Sequence, residues 1–484
     1  MLFTHRRERI RKAEEQLNNK QLPSSIDESS RLLKERFFAD ENGDLILRLF
    51  NDRKGRSFLI AYINGMADDI KINDFILKPL MEYEGNRVDL STIKENVVRV
   101  AEAELELCPD KLCESLCGGM TALFSEGERG GLLLETRGYE KRSVDEAKNE
   151  SVVLGPKESF NENMRTNITL IRRLIHAEDL TSKIITVGSS GSGNVSIVYL
   201  AETANRELLK EVERRLRSID TNVLITSGVI EQLIEDKGIL PLPRVLSTER
   251  PDRAASHILN GRIAILTEGS PFALVVPITF ASLMNSPEDV YLRPPLGTLL
   301  RAVRYVGAML SVLMPAYFLS LALYHQGMLT TEVLSTVIAS RKMVFEPIAI
   351  ELLMLLLIFQ MIREAGLRVP GPIGQAIGII GGLIMGQAAV TAHLASSVVL
   401  IIVAASGLGN FCIPDYSTQL AASYFRIALV IAAWAGGLLG VTSAVLTVCL
   451  LMSEMKSFGM PYLSLFAAKG SSKRPFLFRG KIGS

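Results

Sequence analysis

The sequence predicts a soluble α/β half with two similar subdomains, followed by a polytopic α-helical membrane domain. Two observations lead to this fold class. First, charged residues are dense over the first 300 positions and nearly vanish over long runs from Tyr305 to Ser453. Second, short apolar segments of the front half recur in the same order. The net charge of the 484 residues is only +1, so no global field favours nucleic acid, and we expect none as a partner.

The first segment, residues 1–29, is strongly charged and begins "MLFTHRRERIRKAEEQ". It contains no apolar run of the kind that a cleaved secretory signal requires. We therefore expect the soluble half to stay on the cytoplasmic side of the membrane.

Two α/β subdomains are expected at residues 30–145 and 146–290, because strand-like segments occur in pairs. "FLIAYINGMA" resembles "SIVYLAETA", and "GMTALFSEG" matches "GRIAILTEG" further along the chain in the same order. Each segment is typical of an apolar strand followed by a turn. An ancestral repeat explains both the order and the spacing, and chance similarity of short strands is the alternative.

The glycine-rich stretch "VGSSGSGNV" at 187–195 could suggest a phosphate-binding loop. Such a loop requires Gly-Lys-Ser/Thr, so that the lysine and the hydroxyl reach phosphate and Mg²⁺. Here Asn194 and Val195 follow the last glycine, and a strand-like run begins at once. We predict a hairpin loop between two strands.

Three cysteines cluster in "LCPDKLCESLCGG", at Cys108, Cys113 and Cys117. Their spacing is uneven and no histidine is nearby, so buried reduced thiols on a short helix are favoured over a metal site. No catalytic constellation or cofactor motif stands out elsewhere. We expect a protein without catalytic residues, metal or cofactor.

The rear half, residues 291–455, is predicted to span the membrane several times, ahead of a basic tail at 456–484. A hydrocarbon core of ~30 Å requires about 20 apolar helical residues. Besides the four clearest spans given below, the run 427–453 is long for one straight crossing and short for two. The number of crossings, four to six, therefore stays open. A single crossing there would place the basic tail outside, against the positive-inside rule. The clearest spans lie near 305–323, 345–362, 373–391 and 396–412.

The span "GPIGQAIGIIGGLIMGQAAV" at 371–390 carries no charge but holds six glycines and two glutamines. Successive residues of a helix are about 100° apart, which places five of these glycines on one face. Small residues let helices approach closely in lipid, so this face is expected to serve helix packing or a moving contact. The glycines of this face are Gly374, Gly378, Gly381, Gly382 and Gly386.

Four residues are the candidates for pore lining or gating: Gln375, Ile377, Gln387 and Glu351. The two amides can bond across helices or line a wet path, and static packing is the plainer alternative. Glu351 lies in "PIAIELLMLLLIFQ". An acid within a span faces a cavity or a partner by default, but its place near the start of the span also fits an interfacial anchor.

Several longer stretches resemble the A subunits of GerA-type spore germinant receptors. They are "RTNITLIRRLI", "STERPDRAASHILNGRIAILTEGSPFALVVP", "SPEDVYLRP" and "PIGQAIGIIGGLIMGQAAV", with "INDFILKPLM" nearer the start. Glu268 stands where Asp is expected in many relatives. The resemblance implies an endospore former, the inner spore membrane, a polytopic B subunit and a C lipoprotein as partners. It also implies that A subunits form a ring, expected to be a pentamer, that acts as a nutrient-gated cation channel.

Two other functions remain open. Accessory sporulation proteins of the stage V sporulation protein AF type share the membrane motifs, although "INDFILKPLM" favours a receptor subunit. A secondary transporter also uses glycine-broken spans and buried polar groups, but it should show a repeat within its membrane half.

Overall fold

The computed structural model describes most of the chain, in two compact units. One unit holds the described residues up to Glu235 together with Val245–Pro277, and it contains two five-stranded sheets. The other holds Asp236–Arg244 and the described residues from Ile278 onward, and it is mainly helical. The described residues are 21–85, 89–138, 147, 150, 152, 154–188, 193–221, 226–368, 382 and 384–464.

Both sheets of the first unit are antiparallel and have the same strand order. The first runs β1-β2-β4-β5-β3 and the second β6-β7-β9-β10-β8, so corresponding strands occupy corresponding places. The strands of the first sheet are β1 Leu45–Asn51, β2 Ser57–Ile63, β3 Ala103–Glu106, β4 Thr121–Ser125 and β5 Gly131–Leu134. Those of the second are β6 Leu180–Val187, β7 Gly193–Leu200, β8 Leu246–Thr248, β9 Ile263–Thr267 and β10 Ala273–Val276.

The expected repeat of two similar subdomains is confirmed by this topology. The paired sequence segments form β2 and β7 in one case, and β4 and β9 in the other. Each copy of the second motif begins and ends with a glycine at positive φ, which residues with a side chain rarely adopt. These glycines are Gly119, Gly127, Gly261 and Gly269. The boundary expected between 145 and 146 lies outside the described residues and stays a prediction, as do the other boundaries.

Helices pack on both faces of each sheet, and the inner strands are largely buried, whereas the edge strands β1 and β3 are partly exposed. In the first lobe, Leu33 and Leu112 pack with Leu59 on one face, whereas Ile76 and Ile93 pack against the other. The helices of this unit are α1 Ile26–Arg36, α2 Asp69–Lys71, α3 Lys78–Glu82, α4 Leu90–Thr92, α5 Pro109–Cys117, α6 Met164–Leu174, α7 Arg206–Arg217, α8 Ser227–Ile234 and α9 Pro251–Leu259, with π-helical turns at Ile72–Leu77 and Ile93–Val97.

A buried ion pair joins the two lobes. Asp44 precedes β1 in the first lobe, and its carboxylate lies 2.9 Å from the guanidinium of Arg172 in α6. Both side chains are at most 3% exposed. The same guanidinium donates to the carbonyl oxygen of Leu180 at 3.0 Å. A second arginine, Arg165, lies 3.6 Å from the other carboxylate oxygen of Asp44. A buried ion pair is favourable only with good geometry and further hydrogen bonds, and the bond to Leu180 supplies one of them.

The predicted hairpin at "VGSSGSGNV" is confirmed by the strand register. β6 and β7 are antiparallel, and Val187 pairs with Gly193 across the loop. No helix follows the glycines, so the arrangement of a phosphate-binding loop is missing at this place. Residues 189–192 of the loop lie outside the described residues.

The second unit consists of long helices and a small hairpin. Among the described residues, the helices Pro294–Tyr324 (α12) and Tyr416–Glu454 (α16) are long and apolar enough to cross a membrane, and Ser397–Phe411 (α15) is apolar but has 15 residues. The expectation of four to six crossings therefore stays a prediction. The elements are α10 Phe280–Met284, α11 Glu288–Tyr291, α12 Pro294–Tyr324, α13 Thr331–Arg341, α14 Ile348–Arg368, α15 Ser397–Phe411 and α16 Tyr416–Glu454, then β11 Lys456–Ser457 and β12 Met460–Pro461. A 3₁₀ turn occupies Gln326–Met328, and residues 384–391 are helical.

The α16 helix is broken and folds back on itself. Gly436 and Gly437 have non-helical backbone angles, and φ of Gly437 is +56°. We call the parts of α16 before and after this break its first and second limbs. A Cβ added at Gly440 would clash with the carbonyl oxygen of Ala432, so the two limbs diverge from a tight turn. Residues of both limbs, from Thr418 to Met452, line one apolar cavity of about 290 Å³. The awkward run at 427–453 is thus the end of one limb, a turn and a second limb.

The two ends of the helical unit are defined by α12. We call the end where α12 begins the first end, and the end where it stops the second end. The turn of α16 lies at the second end, where the hydroxyl of Tyr324 donates to the carbonyl oxygen of Trp434 at 2.6 Å. Both ends of α16 lie at the first end. Near its start, Ile413 and Ala422 pack with Met284. Near its end, Met452 lines the same apolar cavity as Met284.

The segment after α16 is fastened at the first end by buried hydrogen bonds. Ser457 donates to the carbonyl oxygen of Arg244 at 2.7 Å and accepts from the amide of Ile278 at 3.0 Å. Tyr462 is fully buried, and its hydroxyl donates to the carbonyl oxygen of Pro243 at 3.0 Å. The chain therefore returns to the end of the unit from which α12 started.

Candidate polar sites in the helical unit

Glu351 in the first turn of α14 is the centre of a buried ion pair. Its side chain is 0% exposed, and one carboxylate oxygen lies 3.2 Å from Nε of Arg341 at the end of α13. The other oxygen accepts the amide of Ser396 at 2.6 Å. Nη2 of Arg341 also donates to the carbonyl oxygen of Glu346 at 2.7 Å. Glu351 thus connects the end of α13 with the starts of α14 and α15 at the second end.

Local sequence explains why these groups meet. Ser396 is the N-cap of α15, and its side chain accepts the amide of Val399 at 3.3 Å, as small hydroxyl residues do at this position. The free amide of Ser396 is a donor that a carboxylate can accept, and a negative charge is favourable at a helix N-terminus. The described contacts give Glu351 a partner within the chain, which fits both a functional acid and an anchor at the end of a span. Its role in a pore stays a prediction.

A second buried cluster surrounds Arg426, which sequence reasoning missed. Arg426 lies in the first limb of α16 and is 1% exposed. Nη1 donates to Oγ of Ser406 at 3.1 Å, and Ser406 donates to the carbonyl oxygen of Ser311 at 2.7 Å. Oγ of Ser311 lies 3.4 Å from the amide oxygen of Asn410. We call Ser311, Ser406, Asn410, Ser423 and Arg426 the Arg426 cluster.

The signal for this cluster was present but ambiguous in the sequence. Arg426 immediately precedes the uncharged run 427–453, where an arginine is typical of a cytoplasmic flank. Only the packing shows that the residue lies ten positions inside α16 and points into the bundle.

A close helix crossing forms at glycines outside the predicted face. A Cβ added at Gly307 of α12 would lie 2.7 Å from Sγ of Cys412, and one added at Gly409 of α15 would lie 3.1 Å from the amide of Ser311. Atoms this close force the backbone to shift, so only glycine fits at either position. These two glycines allow α12 and α15 to touch through their backbones.

The described part of the predicted glycine face makes few contacts within the chain. No described heavy atom lies within 4 Å of a Cβ added at Gly382, and one added at Gly386 meets only Leu400, at 3.4 Å. The side chain of Gln387 is exposed, and its carbonyl oxygen accepts from Thr391. The face therefore stays a prediction about packing. Gln375, Ile377, Gly374, Gly378 and Gly381 lie outside the described residues.

The cysteine cluster of the soluble half is placed as predicted. Cys113 and Cys117 lie on α5 and are buried, and Cys108 precedes the helix. Burial raises the pKa of Cys113 and of Cys117 to about 12. Thiols that stay protonated are poor metal ligands and weak nucleophiles. Among the described residues, no group of three metal-ligating side chains comes together.

Comparison with known proteins identifies the family. The model of the GerA family, described as Bacillus/Clostridium GerA spore germination protein, matches residues 31–483. This chain belongs to the GerA family. The family resemblance noted in the sequence is confirmed, and it extends over both units.

Two relatives show how widely this GerA chain matches. Spore germination protein A1 of Bacillus subtilis (strain 168) is 35% identical over 424 residues, which cover 88% of this chain and 87% of that protein. Spore germination protein B1 of the same organism is 35% identical over 434 residues, which cover 87% and 88%. Among solved structures, the N-terminal domain of the A subunit of the Bacillus megaterium spore germinant receptor GerK3 is 30% identical. That match covers 54% of this chain and 97% of the other, with a TM-score of 0.43.

The Glu351 ion pair of this GerA chain yields a direct prediction. Arg341→Met should lower the free energy of unfolding by about 3–5 kcal/mol, because it leaves a fully buried carboxylate without its counter-charge. Lys342→Met removes an exposed positive charge at the next position and should change it by about 0.5 kcal/mol or less. Thermal unfolding of the purified protein, followed by circular dichroism, measures both. Equal midpoints for the two variants would show that the pair does not stabilise the unit.

Proposed function

We propose that this chain is the A subunit of a nutrient germinant receptor in the spore inner membrane, and that several copies form a cation channel that triggers germination. The observation that carries the proposal is the family match over residues 31–483, which includes the soluble and the helical unit. Two relatives that cover most of the chain bear the name of spore germination proteins. The function proposed is non-enzymatic and uses no cofactor.

The helical unit supports a topology with six membrane crossings. α12 runs from the first end to the second, and α14 starts beside α13 at the second end. α15 starts at Ser396 beside Glu351 at the second end and ends against Met284 at the first, where α16 begins and ends. We propose that residues 369–395, which connect α14 to α15, supply the remaining crossing. Both termini of such a unit lie on the side where the positive flanks lie, which we assign to the cytoplasm or spore core.

Apolar surface that the described residues leave uncovered must contact either lipid or a second copy of the chain. Leu299, Val306 and Met309 along α12 are each more than half exposed, and Gly382 has open space among the described residues. In lipid, small residues allow a neighbouring helix to approach closely, whereas larger apolar residues contact acyl chains equally well. We propose that the glycine face packs against the neighbouring copy in a pentameric ring, with lipid around it. The partners proposed outside the ring are the receptor B subunit and the C lipoprotein.

The ion path is proposed to run beside the span at 372–390. Gln375, Ile377 and Gln387 would face it, because neutral amides replace part of the hydration of an ion without trapping it as a carboxylate would. The ion pair of Glu351 at the second end would hold the neighbouring helices in position. We propose that the packing of the span at 372–390 closes the path in one state and opens it in another. A free-energy difference of a few kcal/mol is enough to shift the population between two such states.

The six-crossing topology predicts the labelling of single cysteines on the two sides. Gly327→Cys lies in the exposed turn after α12, at the second end. It should react with a membrane-impermeant maleimide on intact vesicles whose outer surface is the face opposite the cytoplasm. Lys456→Cys is exposed at the first end and should react only after permeabilisation. Both are introduced into protein whose native cysteines are replaced by serine. Reaction of both positions from one side would rule out this topology.

The packing role of the glycine face predicts a specific assembly defect. Gly382→Leu should reduce the oligomer to monomers, because a large side chain separates two backbones, but it should leave the unfolding midpoint of the chain unchanged. Gly327→Leu, at a second glycine with open space but outside the span, is the matched control. Light scattering of the detergent-solubilised protein measures the mass. An unchanged oligomer in Gly382→Leu would contradict an interface at this face.

The channel proposal predicts which span water reaches. In a reconstituted oligomer, cysteines at 375, 377 and 387 should react with a water-soluble thiol reagent, faster with a nutrient mixture that triggers germination. Ile401→Cys on α15 is the control, since this exposed apolar position is expected to face lipid and to stay unreactive. The pore assignment fails if 375, 377 and 387 stay silent in both conditions while another span reacts.

A further inference from the structure

Arg426 carries a buried positive charge that no carboxylate of the described residues neutralises. Its hydrogen bonds go to two neutral hydroxyls, Ser406 at 3.1 Å and Ser423 at 3.5 Å. Its Nε has no hydrogen-bond partner in the described part of the chain. An arginine stays charged in any protein environment, so burial cannot be relieved by loss of its proton.

The surroundings of this guanidinium add donors and a like charge. Asn410 of the same cluster is 0% exposed, and its Nδ2 also finds no acceptor among the described residues. Arg363 on α14 is a like charge that acts on Arg426. Its Nη1 is buried and has no hydrogen-bond acceptor among the described residues. The helical unit therefore contains three buried nitrogen donors, on Arg363, Asn410 and Arg426, that lack an acceptor among the described residues.

No carboxylate between residues 290 and 464 contacts the Arg426 cluster in the described part of the chain. From 290 to 464 the acidic residues are Glu332, Glu346, Glu351, Glu364, Asp415 and Glu454. Of these, Glu351 is paired with Arg341 at the second end, and Glu346 lies beside the same arginine. Asp415 accepts from Thr418 as the cap of α16. Glu332, Glu364 and Glu454 are exposed. Residues 369–395, which follow α14, contain no Asp or Glu, so this connection cannot supply a counter-charge either.

We propose that the Arg426 cluster, together with Arg363, binds a small inorganic anion of the chloride class inside the helical unit. A buried charge is stable only when it is paired and hydrogen-bonded, and an anion supplies both functions. The unmatched donor atoms are shielded from solvent, so the bulky phosphate of a lipid headgroup cannot reach them, whereas a monatomic ion can be enclosed by N–H and O–H donors. The bound anion holds α14, α15 and α16 together. This site does not depend on the proposed channel function.

Anion-dependent unfolding of the purified full-length protein tests the proposal. Sodium chloride is titrated against sodium gluconate at constant ionic strength, and the midpoint is read from the helical circular dichroism signal. A ligand that binds only the folded state raises the midpoint, and we expect a rise on the order of 5 °C at saturating chloride, reproduced by bromide. A midpoint that is the same in chloride and gluconate overturns the proposal and indicates that water satisfies these donors.

Two variants assign the effect to the cluster. Arg426→Gln removes the charge and should abolish the shift. Asn410→Asp builds a fixed negative charge into the cluster, so it should be as stable in gluconate as the wild type is in chloride, with no further response to chloride.

Gln326→Glu adds the same charge at an exposed position at the second end and should respond like the wild type. A full chloride shift in Asn410→Asp, or its loss in Gln326→Glu, would overturn the assignment. If Arg426→Gln does not fold, the chloride responses of Asn410→Asp and Gln326→Glu decide whether the anion binds at the Arg426 cluster.

Discussion

The arrangement of the helical unit depends on the reversal of the chain at Gly436 and Gly437. A straight helix of the 39 residues of α16 would be about 58 Å long and would carry the following segment far from its contacts. Because Gly437 adopts a positive φ, the second limb returns to the first end, and Ser457 and Tyr462 reach Arg244 and Pro243. Tyr324 stabilises the turn by binding a carbonyl oxygen that the break releases from helical pairing.

Buried charge in this unit is handled in two different ways. Glu351 and Arg341 neutralise each other at the second end, and the remaining carboxylate oxygen binds the first amide of α15. The arrangement is complete, so its effect is to hold three helix ends in register. Among the described residues, the hydrogen-bond partners of Arg426 are neutral hydroxyls, and the positive charge of Arg363 increases the electrostatic cost. An incomplete polar cluster in a low-dielectric interior requires a further partner, whereas a complete one does not.

The soluble unit repeats one topology twice and joins the copies by a charged contact. Equivalent glycines at the two ends of β4 and β9 keep the same turn geometry in both lobes, since a side chain is disfavoured at their positive φ. The contact between the lobes has no counterpart in the repeat, because Asp44 comes from the first copy and Arg172 from the second. Duplication therefore accounts for the lobes, whereas their association depends on side chains that differ between the copies, such as this pair and the hydrogen bond from Tyr199 to Glu41.

The sequence by itself determined the features that depend on local pattern. The division into a charge-dense and an apolar half, the repeat, the hairpin at 187–195 and the buried thiols all follow from composition or short spacing, which neighbouring residues decide. Tertiary structure alone decided that 427–453 reverses, because a glycine pair in an apolar run fits a straight packed helix as well as a turn. It also decided the crossing at Gly307 and Gly409 and the burial of Arg426. Each of these contacts joins residues from different helices, about 20 to 100 positions apart, and no local pattern records which distant groups will meet.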